Sequence, residues 1–226
     1  MKIKYPLILI NFKTYEESQG KRALALARAA EKVGKEYGVC IAVAPQHVDI
    51  PLIAKNRSVP VFAQHVDPEM PGSHTGHITP ESVVEAGACG SIINHSERRL
   101  RADVIEEIVG RCGSLKLITC VCANTSRVGK ALAALSPEMI AVEPPELIGS
   151  GISVSKAKPE VITDSVRMIR AVNPKIKVLC GAGITKGEDV AAALRLGSEG
   201  ILVASGIVKA KDPEAVLRDF AEHMRR

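Results

Sequence analysis

Eight apolar runs of strand length, most of them followed by a helix-like pattern, leave this chain few ways to fold. They begin near Leu7 (LILINF), Val39 (VCIAVA), Val59 (VPVFAQ), Ser91 (SIIN), Leu115 (LKLITCVC), Met139 (MIAV), Ile176 (IKVLC) and Gly200 (GILVA). The runs are nearly continuous in apolar residues, as parallel strands covered on both faces are. Eight such strands with short helical crossovers favour an α/β fold closed into a (β/α)8 barrel. An open doubly wound sheet is the alternative. No G-x-G-x-x-G follows the first run, which argues against a dinucleotide-binding sheet. No linker or low-complexity stretch divides the chain, so a single domain over 1–226 is expected.

The segments between the runs carry helix signals. Ser18 reads as an N-cap before Leu26, Ala30, Val33 and Tyr37, which recur at helical spacing. Thr79-Pro80 and Asp212-Pro213 each read as an N-cap followed by proline at the first helical position. Pro159 opens a helix with Ile162, Val166 and Ile169 on one face, and Gly197 follows Leu196 where the seventh helix should stop. The segments near His47 to Lys55 and Asn124 to Leu135 are short or weakly patterned. The loop from His65 to Thr79 is longer and more polar than barrel closure requires, which points to a functional or intermolecular role.

Composition narrows the partners. The chain is 46% hydrophobic but only 3% aromatic, with no Trp, so Val, Ile, Leu and Ala must fill the core. The net charge is +5, with acids and bases interspersed and no dense basic block, so no nucleic-acid partner is expected. Six cysteines lie in or beside apolar runs and read as small hydrophobes. Cys120 and Cys122 would share one strand face, but no second Cys pair or His-x-x-His completes a metal site. Met1 to Phe12 lacks a small-residue cleavage site, and no apolar run is long enough to span a bilayer. A cytoplasmic chain with no membrane partner is expected.

Barrel chemistry sits at the C-terminal ends of the strands. The first run ends in Asn11-Phe12-Lys13, which puts Asn11 and Lys13 on one face. Such a lysine can bind phosphate, neutralise an oxyanion or form a Schiff base, although a lone lysine there is more often simply solvated. The fourth run ends in Asn94-His95-Ser96-Glu97-Arg98-Arg99. A neutral His95 could donate a hydrogen bond, and Glu97 could pair with Lys13 across the mouth or be an ordinary surface acid. The sixth ends in Glu143-Pro144-Pro145, then Ile148-Gly149-Ser150-Gly151. A partly desolvated carboxylate in that place suits a general base. Prolines at one end of the following loop and glycines at the other suit a hinged lid. Gly181-Ala182-Gly183 and Ala204-Ser205-Gly206 end the last two runs. Their small residues let backbone N–H groups approach an anion, as in barrel phosphate sites.

Taken in order, these segments resemble the triosephosphate isomerase family, and the likeness runs through nearly the whole chain. It includes Gly72, His74-Thr75-Gly76 and Ile78 of the long third loop. The resemblance implies a TIM barrel that interconverts dihydroxyacetone phosphate and D-glyceraldehyde 3-phosphate through an enediolate, in glycolysis and gluconeogenesis, with no cofactor or metal. It makes Glu143 the base, neutral His95 the hydrogen-bond donor and Lys13 the stabiliser of negative charge beside Asn11. Glu97 would hold Lys13. Ile148, Gly149, Gly183, Ala204 and Ser205 would grip the phosphate.

The chain departs from the commoner bacterial and eukaryotic pattern. The lid lacks a Trp, Ala204-Ser205 replaces a glycine pair, and Gly183 stands where a Ser is usual. These departures resemble the archaeal branch, which implies a homo-oligomer, a tetramer ahead of a dimer. The third loop would then reach into a neighbouring subunit, bringing Thr75 near the partner's Lys13. Another sugar-phosphate isomerase, a Schiff-base aldolase or a non-catalytic metabolite sensor would also fit the last two turns alone. Lys13, His95 and Glu143 at three separate strand ends favour the isomerase.

Overall fold

A computed structural model of the chain describes residues 3–144 and 159–224. Its eight strands are β1 (Leu7–Asn11), β2 (Cys40–Ala44), β3 (Phe62–Ala63), β4 (Gly90–Ile93), β5 (Ile118–Ala123), β6 (Met139–Val142), β7 (Lys177–Cys180) and β8 (Gly200–Val203). All ladders are parallel, in the order β2-β1-β8-β7-β6-β5-β4-β3. A single bridge, Val43 to Val61, links the two ends, with the Val43 N–H donating to the Pro60 carbonyl at 3.0 Å. The expected barrel therefore forms, nearly closed. The third strand is shorter than its apolar run because Pro60 has no N–H to give a ladder.

The described helices are α1 (Lys21–Tyr37), α2 (Ile50–Asn56), α3 (Pro80–Glu85), α4 (Ala102–Ser114), α5 (Ser126–Ala133), α6 (Pro159–Arg170), α7 (Gly187–Arg195), α8 (Ser205–Val208) and α9 (Pro213–Met224). Two expected caps are present. Thr79 Oγ1 accepts from the Ser82 N–H at 3.2 Å, and Asp212 Oδ1 from the Ala215 N–H at 3.0 Å. Gly197, at φ +101°, takes the left-handed conformation just past α7.

Ser18 is not the cap of α1. It ends a short 3₁₀ turn, Glu16–Ser18, and its buried hydroxyl lies 2.7 Å from the Phe12 carbonyl and 3.0 Å from that of Tyr15. The N-cap is Gly20, whose N–H donates to Asp49 Oδ2 at 3.0 Å. A carboxylate from beyond β2 thus ties down the start of α1, a long-range contact that local spacing does not reveal.

Strand alternation divides the apolar residues in two. Leu7, Leu9, Ala42, Ala44, Phe62, Ile92, Cys120, Cys122, Met139, Ala141, Leu179 and Leu202 form one buried cluster with no helical member, the barrel interior. Their neighbours, among them Ile8, Ile10, Val43, Ile93, Val121, Ile140 and Val178, join the helices in a second cluster. The interior is filled tightly. A Cβ added at Gly90 would lie 2.3 Å from the Phe62 ring, which occupies that space from the adjacent strand. Gly90→Ala should therefore cost about 1–3 kcal/mol of stability. Urea denaturation checks this, and Phe62→Leu should recover part of the loss.

The third loop is pinned from within. Asp67 accepts from the Ile78 N–H, from His65 Nε2 and from Arg98 at 2.8, 2.8 and 3.2 Å. Burial alone would raise the Asp67 carboxyl, but the Ile78 N–H and His65 outweigh it and hold it below its usual range. Burial pushes the His65 imidazole down, against the opposing pull of Asp67. Both depressed groups contribute stability that is present above their unfolded pKa and lost as pH falls. The loss from His65 starts at about pH 6.5 and that from Asp67 at about pH 4. Urea midpoints should therefore drop between pH 7 and 5.5, and stay level across that window in His65→Gln.

Candidate active site

The alternation that fills the interior also aims the rim. Leu7 and Leu9 face inward, so Asn11 and Lys13 follow on the same face of β1, as Glu143 follows Met139 and Ala141 on β6. Lys13 leaves the strand at φ +48°, and its N–H donates to Asn11 Oδ1 at 2.9 Å. The β4 rim breaks the rule. With Ile92 inward, strict alternation would turn His95 out. Asn94 adopts φ +59°, a conformation asparagine tolerates better than most residues, and His95 lines the mouth. The Asn94 side chain supports the bend by donating to the Cys122 carbonyl and accepting from the Leu100 N–H, both at 2.9 Å.

A cavity of about 310 Å³ opens at the C-terminal rim. Asn11, Lys13, His95 and Glu143 lie along it together with Gly183, Ala204 and Ser205. The sequence-expected groups within the described residues are therefore brought together. Ile148 and Gly149 lie outside the described residues, as does the rest of the expected lid after Pro144.

Glu143 is 3% exposed and His95 8%. His95 Nε2 is 3.3 Å from Glu143 Oε1. On the other side of the ring, the Glu97 N–H donates to His95 Nδ1 at 3.2 Å. Nδ1 must then be the unprotonated nitrogen of a neutral ring, which leaves the proton on Nε2, facing the cavity. Lys13 Nζ donates to Glu97 Oε1 at 2.8 Å, and Glu97 Oε2 is 3.5 Å from His95 Nδ1. Glu97 thus touches both the lysine and the imidazole, its backbone fixing one and its side chain the other. Neighbouring thiols stay neutral: burial, then the Glu143 charge, pushes Cys122 well up, and burial pushes Cys180 up to about 12.

Sequence reasoning passed over several participants. Gln64 Nε2 donates to the Lys13 carbonyl at 2.9 Å and the Ala44 carbonyl at 3.0 Å, holding the backbone beneath the lysine. Its signal was its place as the last residue of the third apolar run. Tyr15, Thr185 and Leu202 also line the cavity, and nothing but proximity in sequence to Lys13, Gly183 and Ala204 marked them. Among the described residues, the one cluster spaced like metal ligands is Asp67, Glu69 and His77 in the third loop. None of these three lines the cavity, and Asp67 is already engaged by Ile78, His65 and Arg98.

A family model described as triosephosphate isomerase matches residues 6–223. The chain is 56% identical over 214 residues to "Triosephosphate isomerase" of Methanocaldococcus jannaschii, covering 95% of this chain and 98% of that one. It is 51% identical over 219 residues to the protein of the same name from Methanothermus fervidus, covering 97% and 99%. A crystal structure of triosephosphate isomerase from Bartonella henselae superposes with a TM-score of 0.79 at 18% identity, covering 98% and 99% of the two chains. That identity is low enough that the superposition speaks to the barrel alone. The family match over nearly the whole length and the identities above one half lead to one conclusion: the chain belongs to the triosephosphate isomerase family.

Proposed function

We propose that the chain interconverts dihydroxyacetone phosphate and D-glyceraldehyde 3-phosphate, with residues 1–226 acting as one catalytic TIM-barrel domain. The observation that carries this reading is the pairing of a buried carboxylate with the protonated nitrogen of a neutral imidazole, 3.3 Å apart, in a cavity also lined by the small residues Gly183, Ala204, Ser205 and Gly206. The reaction moves a proton between adjacent carbons and changes no net oxidation level. It asks for a base, a hydrogen-bond donor and a grip on the phosphate, and no cofactor.

Glu143 takes a proton from the hydroxymethyl carbon of the ketose. The released electron pair forms the carbon–carbon double bond of an enediolate, and the carbonyl oxygen takes the negative charge. His95 Nε2–H donates to that oxygen, and Lys13 lowers the cost of the charge through its ammonium group. Glu143 then returns the proton to the neighbouring carbon, giving the aldose once a proton has passed between the two oxygens. Asn11 orients Lys13 through its backbone N–H, and Glu97 holds the ammonium. Ile148, Gly149, Gly183, Ala204 and Ser205 bind the phosphate, which commits the substrate to one register. Closure of the segment after Glu143 keeps water away from the enediolate.

This activity serves glycolysis and gluconeogenesis alike, in the cytoplasm. The assembly is a homo-oligomer, a tetramer ahead of a dimer. A second cavity of about 360 Å³ supports this reading, because Lys13, Gln64, His65, Glu97 and Arg98 line it on the open side of the site. It suits the tip of a neighbouring third loop, carrying Thr75.

Glu143→Gln should lower turnover in a coupled isomerase assay by about 10²–10⁴-fold. Inhibition by inorganic phosphate should change little. Turnover equal to wild type would remove Glu143 from the mechanism. Sedimentation velocity should give an oligomer, and Thr75→Arg should shift it toward monomer with loss of activity. A wild-type monomer at working concentration would contradict the intersubunit role of the loop.

A further inference from the structure

Gly181 lies beside Glu143 in the wall of the cavity. Gly181 follows β7, and its N–H donates to the Val142 carbonyl at 2.9 Å, which fixes this stretch of backbone against β6. A Cβ at Gly181 would lie 2.4 Å from Glu143 Cγ, 3.1 Å from the Val142 carbonyl oxygen and 3.4 Å from Glu143 Cδ. Gly181 is not among the glycines with positive φ, so what the position requires is the missing carbon and not a left-handed backbone. The crowded atom is in the middle of the side chain. Cγ would have to retreat by about 1 Å to regain ordinary van der Waals contact.

There is little room for that retreat. Cys122 lies on β5, on the other side of β6 from β7, and its ladder partner is Ala141, which shares the inward face of β6 with Glu143 two residues on. The Cys122 backbone is fixed in turn by Asn94 Nδ2, which donates to its carbonyl at 2.9 Å. Ahead of the carboxylate stands His95 Nε2, 3.3 Å from Oε1. The other oxygen, Oε2, is buried with no hydrogen-bond partner among the described residues, so packing must do the holding there.

We propose that Gly181 and Cys122 are positioning residues for the base, setting the Glu143 side chain from the β7 and β5 sides. The inference rests on the reading of Glu143 as the base. It gives the first glycine of Gly181-Ala182-Gly183 a task separate from anion binding, which stays with Gly183. A base moved by about 1 Å loses on the order of 10²-fold in rate.

The test is Gly181→Ala in the full chain, assayed for turnover and for competitive inhibition by inorganic phosphate. The expected result is a fall in kcat of about 100-fold, with the inhibition constant for phosphate kept within about twofold, since Gly183 and Ser205 are untouched. Placed in the Glu143→Gln background, the same substitution should cost nothing further, because it acts through that side chain. Near-wild-type kcat in Gly181→Ala, or an equal further loss in the double variant, would overturn the proposal. If Glu143→Gln is itself inactive, either result leaves the base assignment standing. Should Gly181→Ala not fold, Cys122 carries the test. Cys122→Ala should lower kcat by about fivefold at constant phosphate inhibition, and Cys122→Ser, which keeps nearly the same volume, should restore it. Equal kcat in all three thiol-site proteins would overturn the proposal.

Discussion

A carboxylate with 3% of its surface in contact with solvent is the constraint on which the rest of the mouth depends. Water cannot solvate Glu143, so the protein must supply what surrounds it. Every neighbour answers one side of that requirement. His95 offers its Nε2 proton, which is possible because the Glu97 backbone occupies Nδ1. Cys122 stays protonated because burial and the Glu143 charge both oppose a thiolate. Gly181 leaves out the one carbon that would collide.

The fold itself is simple to trace to its residues. A parallel barrel has one interior layer and one outer layer, and each strand supplies both by alternation. That periodicity runs on past the last hydrogen-bonded residue of β6, so Glu143 reaches the mouth without special local structure, whereas Lys13, on the inward face of β1, takes a left-handed φ of +48° steadied by Asn11 Oδ1. At β4 it is overridden. A left-handed Asn94 swings His95 inward, and its side chain bonds to Cys122 and Leu100 keep the bend in place. The histidine is thus set by a backbone exception and the carboxylate by a backbone rule.

These differences explain what the sequence could disclose. The eight apolar runs announced the strands because burial on both faces leaves a compositional trace. The rim residues were legible because each closes such a run. Where the deciding contact crosses between elements, the sequence was silent. Ser18 had the composition of a cap, but Asp49, from after β2, ties down the start of α1. The run from Val59 to Gln64 looked like a full strand, yet Pro60 reduces the ladder there to Phe62–Ala63. Gly181 looked like part of a loose, anion-friendly turn. Its true neighbour, Glu143, is 38 positions away, and only the pairing of β6 with β7 brings them together.

The seam between β2 and β3 carries a consequence for the lifetime of the molecule. One bridge joins the two strands, and Gln64 adds a stitch at the rim, its amide donating to the Lys13 and Ala44 carbonyls at once. Only an NH₂ group can serve two acceptors in this way from a neutral side chain of that length. Slow hydrolysis of that amide to a carboxylate would replace two attractions with two repulsions, directly beneath Lys13. The stitch at the seam would then be lost with the hydrophobic interior still intact.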